Sequence, residues 1–289
     1  MKDTMHRFAS GNKKSYYGKG DVTVYRLNRD GANPPVFGAN VLILIYGDAF
    51  WPTYTTGDNS NLVATDSMKN FIQRETLNFA GDDLESYCRF IAAKFLATYP
   101  QAEGAQVSAS RIPYDGLSGE ASPVSFAPGG PDCAHALIEL TRAGAEITTA
   151  EIRSGIRGFR LLRLNGSAFK GFVRDQYTTL PDIANRPLHM WLDLDWTYVN
   201  SDAAFTSGVI TAKVRQLIFD VFNSFESGSI QQIIYQIGAR MLQDIDSIAE
   251  INLEAQNRTW DTVAEHGESA GVFTDPRPPF GCLGLTMTR

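Results

Sequence analysis

The residues in this chain that could do chemistry sit in a few short segments. Lys19 in YYGKGD sets an amine between two glycines, and Thr65 with Asp66 in LVATDSMKNF sets a hydroxyl beside a carboxylate. Phe169 in NGSAFKGF offers an aromatic face, while Arg186 in IANRPLHM and Gln231 in SGSIQQIIY offer a guanidinium and an amide. Amines and hydroxyls exchange protons, and guanidinium and amide groups make directed hydrogen bonds to polar ligands. Taken singly, each has an ordinary explanation. A lysine in a Gly-flanked loop is usually a solvated charge. Thr65-Asp66-Ser67 has the composition of a helix start, where side-chain oxygens accept bonds from the free N–H groups of the first turn. Phe169 suits a core, Arg186 a strand end and Gln231 the first turn of a helix.

These segments need elements to hold them. DVTVYRL (21–27) alternates apolar and polar residues and NVLILIYG (40–47) follows a Pro-Pro break, so the two are expected to pair as a hairpin. Helices are expected from Asp66 to about Leu77 and from Asp83 to about Tyr99. The second carries Leu84, Tyr87, Ile91 and Leu96 near a 3.6 spacing, with Asp82-Asp83 at the favourable N-terminal end. Strands resume at 105–112 and 135–143. The second half repeats the order. FRLLRL (159–164) and LHMWLDLDWTYV (188–199) read as strands, the latter with Leu192, Leu194 and Trp196 against Asp193 and Asp195. Helices follow at Thr206–Phe225, with a stripe of Ile210, Val214, Leu217, Val221 and Phe225, and at Ile230–Ile245, carrying Ile233, Ile237 and Leu242. Closing strands are weakly marked at 249–263 and 279–287. The Gly/Pro/Ser-rich stretch 116–132 reads as a long loop.

The implied class is α+β, a duplicated ββααββ plan: an N-terminal arm (1–18), a first repeat (19–150) and a second (151–289). Each repeat buries a helix pair on one face of an antiparallel sheet, and oligomerisation is the natural cover for the other face. The totals agree with a protein that handles small molecules. At 289 residues, 43% hydrophobic and 20% charged, the chain can bury a large core. A formal charge of −6 argues against nucleic acid or anionic lipid as partner, because both demand a basic face. The longest apolar run, Val41 to Tyr46, is too short to cross a bilayer. Cys88, Cys133 and Cys282 are odd in number and far apart, which suggests neither a disulfide framework nor zinc. The polar N-terminus lacks the apolar stretch of a secretory signal and LTMTR is no peroxisomal address, so the cytoplasm is the expected compartment.

Together, in order and across nearly the whole chain, YGKGDVTVYRL, NSNLVATDSMKN, NGSAFKGFVRDQYTTL and SGSIQQIIY closely resemble the urate oxidase (uricase) family. The resemblance implies a tandem tunnelling fold of two ββααββ units, assembled as a homotetrameric β-barrel, and oxidation of urate by O2 to 5-hydroxyisourate with release of H2O2. It implies no cofactor, because an electron-rich urate dianion can itself reduce oxygen where most oxidases borrow a flavin or metal. Carried over at matching positions, Lys19 and Thr65 would form a proton-relay pair, Lys19 as base and Thr65 both capping its helix and passing the proton. The Asp66 backbone would meet the purine at a helix N-terminus. Phe169 would stack on the ring, while Arg186 and Gln231 grip its two edges beside the Ile230 backbone. The two sides would come from neighbouring subunits.

One motif departs. The family carries Asn-x-His after the last long helix, and here AQNRTW (255–260) places Asn257 at the Asn and Thr259 where the His should stand, unless Arg258 fills that place. None of His6, His135, His189 and His266 restores it. A hydroxyl or water could take over the relay, the pocket could serve another electron-rich heterocycle, or the chain could be a noncatalytic purine-binding paralogue. Retention of both Lys19 and Thr65 argues against the last.

Overall fold

Period-two hydrophobicity places one face of each strand against a helix pair, and the computed structural model follows that pattern. It describes residues 15–29, 34–117, 125–206, 208–267 and 270–289. His6, most of the N-terminal arm and the middle of the 116–132 stretch lie outside the described residues. The chain divides into two units: Met1–Ser154 with Ser201–Gly208, and Gly155–Asn200 with Val209–Arg289.

In the first unit β1 (Tyr17–Leu27) and β2 (Val36–Tyr46) pair antiparallel, as the hairpin reading expects. A short helix α1 (Trp51–Thr55) leads to α2 (Thr65–Glu75) and α3 (Leu84–Thr98), then β3 (Gly104–Arg111) and β6 (Cys133–Ala143). Between the last two, β4 (Tyr114–Gly116), at the entrance to the stretch read as loop, and β5 (Phe126–Pro128), within it, make a small hairpin. The strand order is β1-β2-β3-β6, with the first part of β7 (Glu146–Arg163) beside β6. Asp83 caps α3, its carboxylate accepting the Ser86 N–H at 2.7 Å. Tyr87, Ile91 and Leu96 are fully buried on the face toward the sheet, where Phe37 of β2 meets Tyr87 at 5.0 Å between ring centroids.

The first turn of α3 also buries Glu85, whose carboxylate accepts a hydrogen bond from Ser154 Oγ at 2.5 Å and has no cation beside it among the described residues. Burial raises its pKa above 4.5. A carboxyl titrating higher folded than unfolded favours the fold fully below the unfolded value, and that contribution is lost as pH rises through the folded value. Glu85→Gln keeps the acceptor without the charge. Its Tm is therefore expected to match wild type near pH 4 and to exceed it by about 3 °C at pH 8; calorimetry across that range checks this, and a gap independent of pH would refute it.

The second unit repeats the order: the rest of β7, β8 (Leu188–Tyr198), α4 (Val209–Ser224), α5 (Ile230–Asp244), β9 (Ile248–Arg258) and β12 (Phe280–Thr288). The strands lie in the order β7-β8-β9-β12, with a side hairpin of β10 (Thr262–His266) and β11 (Ala270–Phe273). Leu188, Met190, Leu192, Leu194 and Trp196 of β8 all point into the core formed with Val214, Leu217, Val221, Ile233 and Ile237. The α4 helix starts at Val209 and not at Thr206, because Gly208 sits at φ +77°, outside the right-handed region. Asp193 and Asp195 face the other side, where Asp193 accepts the Gly158 N–H at 2.7 Å and Asp195 pairs with Arg157 at 3.2 Å. The β7 strand is much longer than FRLLRL suggests. Gly158 at φ +75° switches the phase of its buried residues, from Ile152 and Ile156 to Phe159 and Leu161, which erases a continuous alternation. Among the described residues no helix is long and apolar enough to cross a membrane.

Candidate functional site

In the first unit Lys19 lies on β1 opposite Ile43 of β2, half-buried. The register shifts between Lys19 and Val22, and Asp21 takes φ +58° with its carboxylate accepting Asn40 Nδ2 at 2.6 Å. This irregularity re-aims the strand next to the lysine. Gly18 is required on the other side: a Cβ there would lie 1.8 Å from the Ile43 carbonyl oxygen. The α2 helix packs against β1. Tyr17, two residues before Lys19 and so on the same side of the strand, accepts the Val63 N–H on its hydroxyl at 2.9 Å. That bond ties the segment leading into Thr65 to the strand that carries Lys19. Burial pushes the Tyr17 pKa up to about 12, so the hydroxyl stays neutral.

One expectation fails here. Thr65 does not cap α2: the cap is Ala64, whose carbonyl accepts the Met68 N–H at 3.1 Å, and no side chain closes the first turn. The helix begins one residue earlier than a threonine cap needs, so Thr65 is already inside it. Its exposed hydroxyl is without a hydrogen-bond partner among the described residues. The first-turn N–H groups, that of Asp66 included, are likewise uncapped, at the end of the helix that favours negative charge. The Asp66 carboxylate turns to Lys69 (2.6 Å) and Asn70 (3.0 Å). The Lys69 bond chiefly, with a smaller contribution from the Lys19 charge, holds its pKa below the usual carboxylate range.

In the second unit Phe169 and Arg186 come together. The loop between β7 and β8 folds back so that Phe169 and Ile183 exchange backbone bonds of 2.8 and 2.9 Å, while the Arg186 N–H donates to the Ser167 carbonyl at 2.9 Å. The Arg186 guanidinium carbon lies 5.7 Å from the Phe169 ring centroid. Its Nε is buried without a partner, no carboxylate pairs with it among the described residues, and burial lowers its pKa. The RDQYTTL string shapes this loop. Asp175 accepts bonds from the Tyr177 N–H (2.9 Å) and Thr178 Oγ1 (3.0 Å), and Arg174 pairs with Asp182 at 3.2 Å.

The same loop reaches the start of α5 through Ser227, whose carbonyl accepts the Ala168 N–H at 2.8 Å. Ser229 caps α5 through Gln232, which leaves the Ile230 and Gln231 N–H groups without intrahelical partners. Ile230 is buried and Gln231 is exposed. Asn257 pairs in register with Met190 and Gly281. It shares the face of β9 that carries the buried Leu253 and Ala255, the face toward α5. Arg258 points the opposite way, its guanidinium between Trp191 (4.1 Å) and Phe280 (3.8 Å) and donating to Gln256. Thr259 lies exposed just past the strand, its carbonyl accepting the Arg277 N–H at 3.4 Å. His189 stacks on Trp260 at 5.6 Å, with the ring lowered in pKa chiefly by burial. A concavity of about 550 Å³ opens on the polar sheet face of this unit, between Trp191, Glu254 and Cys282, and none of Phe169, Arg186, Ile230, Gln231, Asn257 and Thr259 lines it. Tyr17 and Ser227 each head one of the strings named above, but their structural roles escape sequence reasoning because each acts across tens of residues.

Comparison with known proteins gives one consistent relationship. The family model described as Uricase matches residues 15–139 and 152–283. The chain is 36% identical over 299 residues to the uric acid degradation bifunctional protein PucL of Bacillus subtilis (strain 168), covering 94% of this chain and 60% of that protein. It is 35% identical over 300 residues to a uricase of Haloferax volcanii, covering 94% and 97%. Among solved structures, a urate oxidase of Bacillus sp. TB-90 superposes with a TM-score of 0.87 at 35% identity, over 95% of this chain and 100% of that one. A uricase from Bacillus fastidious gives 0.86 at 33%, over 96% and 94%. The chain thus spans 60% of the length of the bifunctional relative and nearly all of the single-activity ones. With the family model covering both halves, this chain belongs to the uricase family.

Proposed function

We propose that this protein oxidises urate with molecular oxygen: urate, O2 and water give 5-hydroxyisourate and H2O2. Two electrons leave the purine and reduce O2 to the peroxide level, and water supplies the new hydroxyl at C5. The observation that carries the reading is Arg186, a half-buried guanidinium whose Nε is buried and orphaned, with no carboxylate partner among the described residues and an aromatic ring 5.7 Å away. Such a cation is costly unless a ligand completes it, and a flat anion that stacks on Phe169 while accepting two parallel bonds fits both demands.

In this reading Gln231 and the bare Ile230 N–H hold the opposite edge. Asp66 offers its N–H at the start of α2, Lys19 takes the proton and the Thr65 hydroxyl passes it on. Asn257 orients oxygen or water, and Thr259, at the place of the family's histidine, hands the relay to solvent. The electron-rich purine supplies the electrons, so the reaction calls for no bound cofactor. The two ββααββ stretches, 19–150 and 151–289, are read as tandem repeats of a tunnelling fold. The Lys19 side of one subunit then meets the Arg186 side of another in a cytoplasmic homotetramer. The strands β1 and β12, which stand at the two ends of the strand order, are edges that a second copy can extend.

The test is incubation with urate in air and under nitrogen, following loss of near-ultraviolet absorbance and formation of peroxide without added metal or flavin. Equal consumption of O2 and release of H2O2, absent under nitrogen, is the expected outcome. Tight anaerobic binding with no turnover in air would reduce the protein to a purine binder, and absence of binding would overturn the assignment of substrate.

A further inference from the structure

Arg163, the last residue of β7, is a second half-buried arginine with no carboxylate partner among the described residues, and burial lowers its pKa as well. Its charge is directed instead at the backbone around the clamp. Nη1 donates to the carbonyls of Gly166 (3.2 Å) and Phe225 (3.0 Å) and to Ser227 Oγ (3.3 Å), and the guanidinium lies 4.6 Å from the Phe222 ring centroid. Gly166 and Ser227 bond each other directly, the Ser227 N–H donating to the Gly166 carbonyl at 2.8 Å.

From this knot two branches leave. One runs through Ser167 and Ala168 to Phe169, with the Ser167 carbonyl accepting the Arg186 N–H. The other runs three residues from Ser227 to Ile230 and Gln231. We infer that Arg163 is a positioning residue for the purine clamp. Without touching the ligand, it sets the spacing between the Phe169–Arg186 side and the Ile230–Gln231 side. The inference rests on the clamp reading given above. The guanidinium is suited to this because the two hydrogens of Nη1 are shared among three acceptors from two segments, in a planar group that lies over the Phe222 ring, whereas an ammonium at the end of a flexible stem lacks that plane. Hydrogen bonds to charged donors are also the stronger ones, so their loss frees both branches together.

The experiment uses the full chain. Arg163→Met keeps the stem and its apolar packing, and Arg163→Lys keeps the charge. Anaerobic urate binding is measured by equilibrium dialysis, and amide hydrogen exchange is followed at Ala168, Phe169, Ile183 and Arg186. For Arg163→Met, Kd is expected to rise about tenfold, KM to follow it while kcat falls less, and exchange at those four amides to quicken. Arg163→Lys is expected to recover part of each. Ile248→Ala, a core change at the start of β9 opposite Tyr198 and far along the sheet from the knot, controls for general loosening and is expected to leave both readouts at wild-type values. Arg163→Met with wild-type exchange at these amides, or Ile248→Ala with equal effects, would overturn the inference. If wild-type protein fails to bind urate, the functional assignment falls, and the exchange data still decide whether Arg163 holds the two segments.

Discussion

Lys19→Met is expected to slow urate turnover by about 10³-fold while leaving the fold and anaerobic urate binding in place. A general base in contact with the reacting group contributes ~10²–10⁴. Methionine matches the lysine stem, so the half-buried side of β1 keeps its packing. The irregular backbone that aims the residue also survives, since it depends on Gly18 against Ile43, Asp21 at positive φ and the Tyr17–Val63 bond. Turnover is measured as initial oxygen uptake, with circular dichroism and anaerobic binding as controls. Wild-type turnover in this variant would remove Lys19 from the chemistry, and lost binding would make it a ligand contact instead of a base.

Arg186→Lys is expected to weaken anaerobic urate binding by about 10–100-fold, the worth of one or two charge-assisted bonds, with a smaller change in kcat. The planar fork is lost, and so is the flat cation 5.7 Å from the Phe169 ring. A second effect has a definite sign. Burial at this site lowers the arginine's pKa, and an ammonium yields to desolvation more readily. The variant's affinity is therefore expected to fall further between pH 7 and 9, where wild-type affinity holds. A pH-independent defect would show that geometry alone is at fault, and unchanged affinity would show that Arg186 is no clamp.

Much of the architecture could be read from periodicity because burial imposes it. The strand from Leu188 onward and the helix stripes of Val214–Val221 and Ile233–Ile237 all face one core, and Asp83 marks the start of α3 by a bond that its side chain makes locally. What escaped reading lacks such a constraint. The strand β10 is exposed along its whole length and β11 along all but its last residue, so no apolar alternation marks them. The β4–β5 hairpin has only three residues a side. The phase change at Gly158 hides most of β7. The candidate site residues stand out as an ordered set of strings and not as individual side chains. Arg163 lies outside those strings, and Tyr17, although it heads the first, shows nothing of its role there, because each is defined by partners more than forty positions away.

The alanine at the head of α2 bears on how the protein could be hardened. Replacing a non-capping residue at a helix entrance by serine or aspartate is a common route to extra thermal resistance, yielding about 1 kcal/mol. If the first-turn amides of α2 receive the purine anion as proposed, a new oxygen at Ala64 would compete for them, and an aspartate would add repulsion. On that reading robustness and catalysis are opposed at this one position, which makes the missing cap a feature for engineers to leave alone.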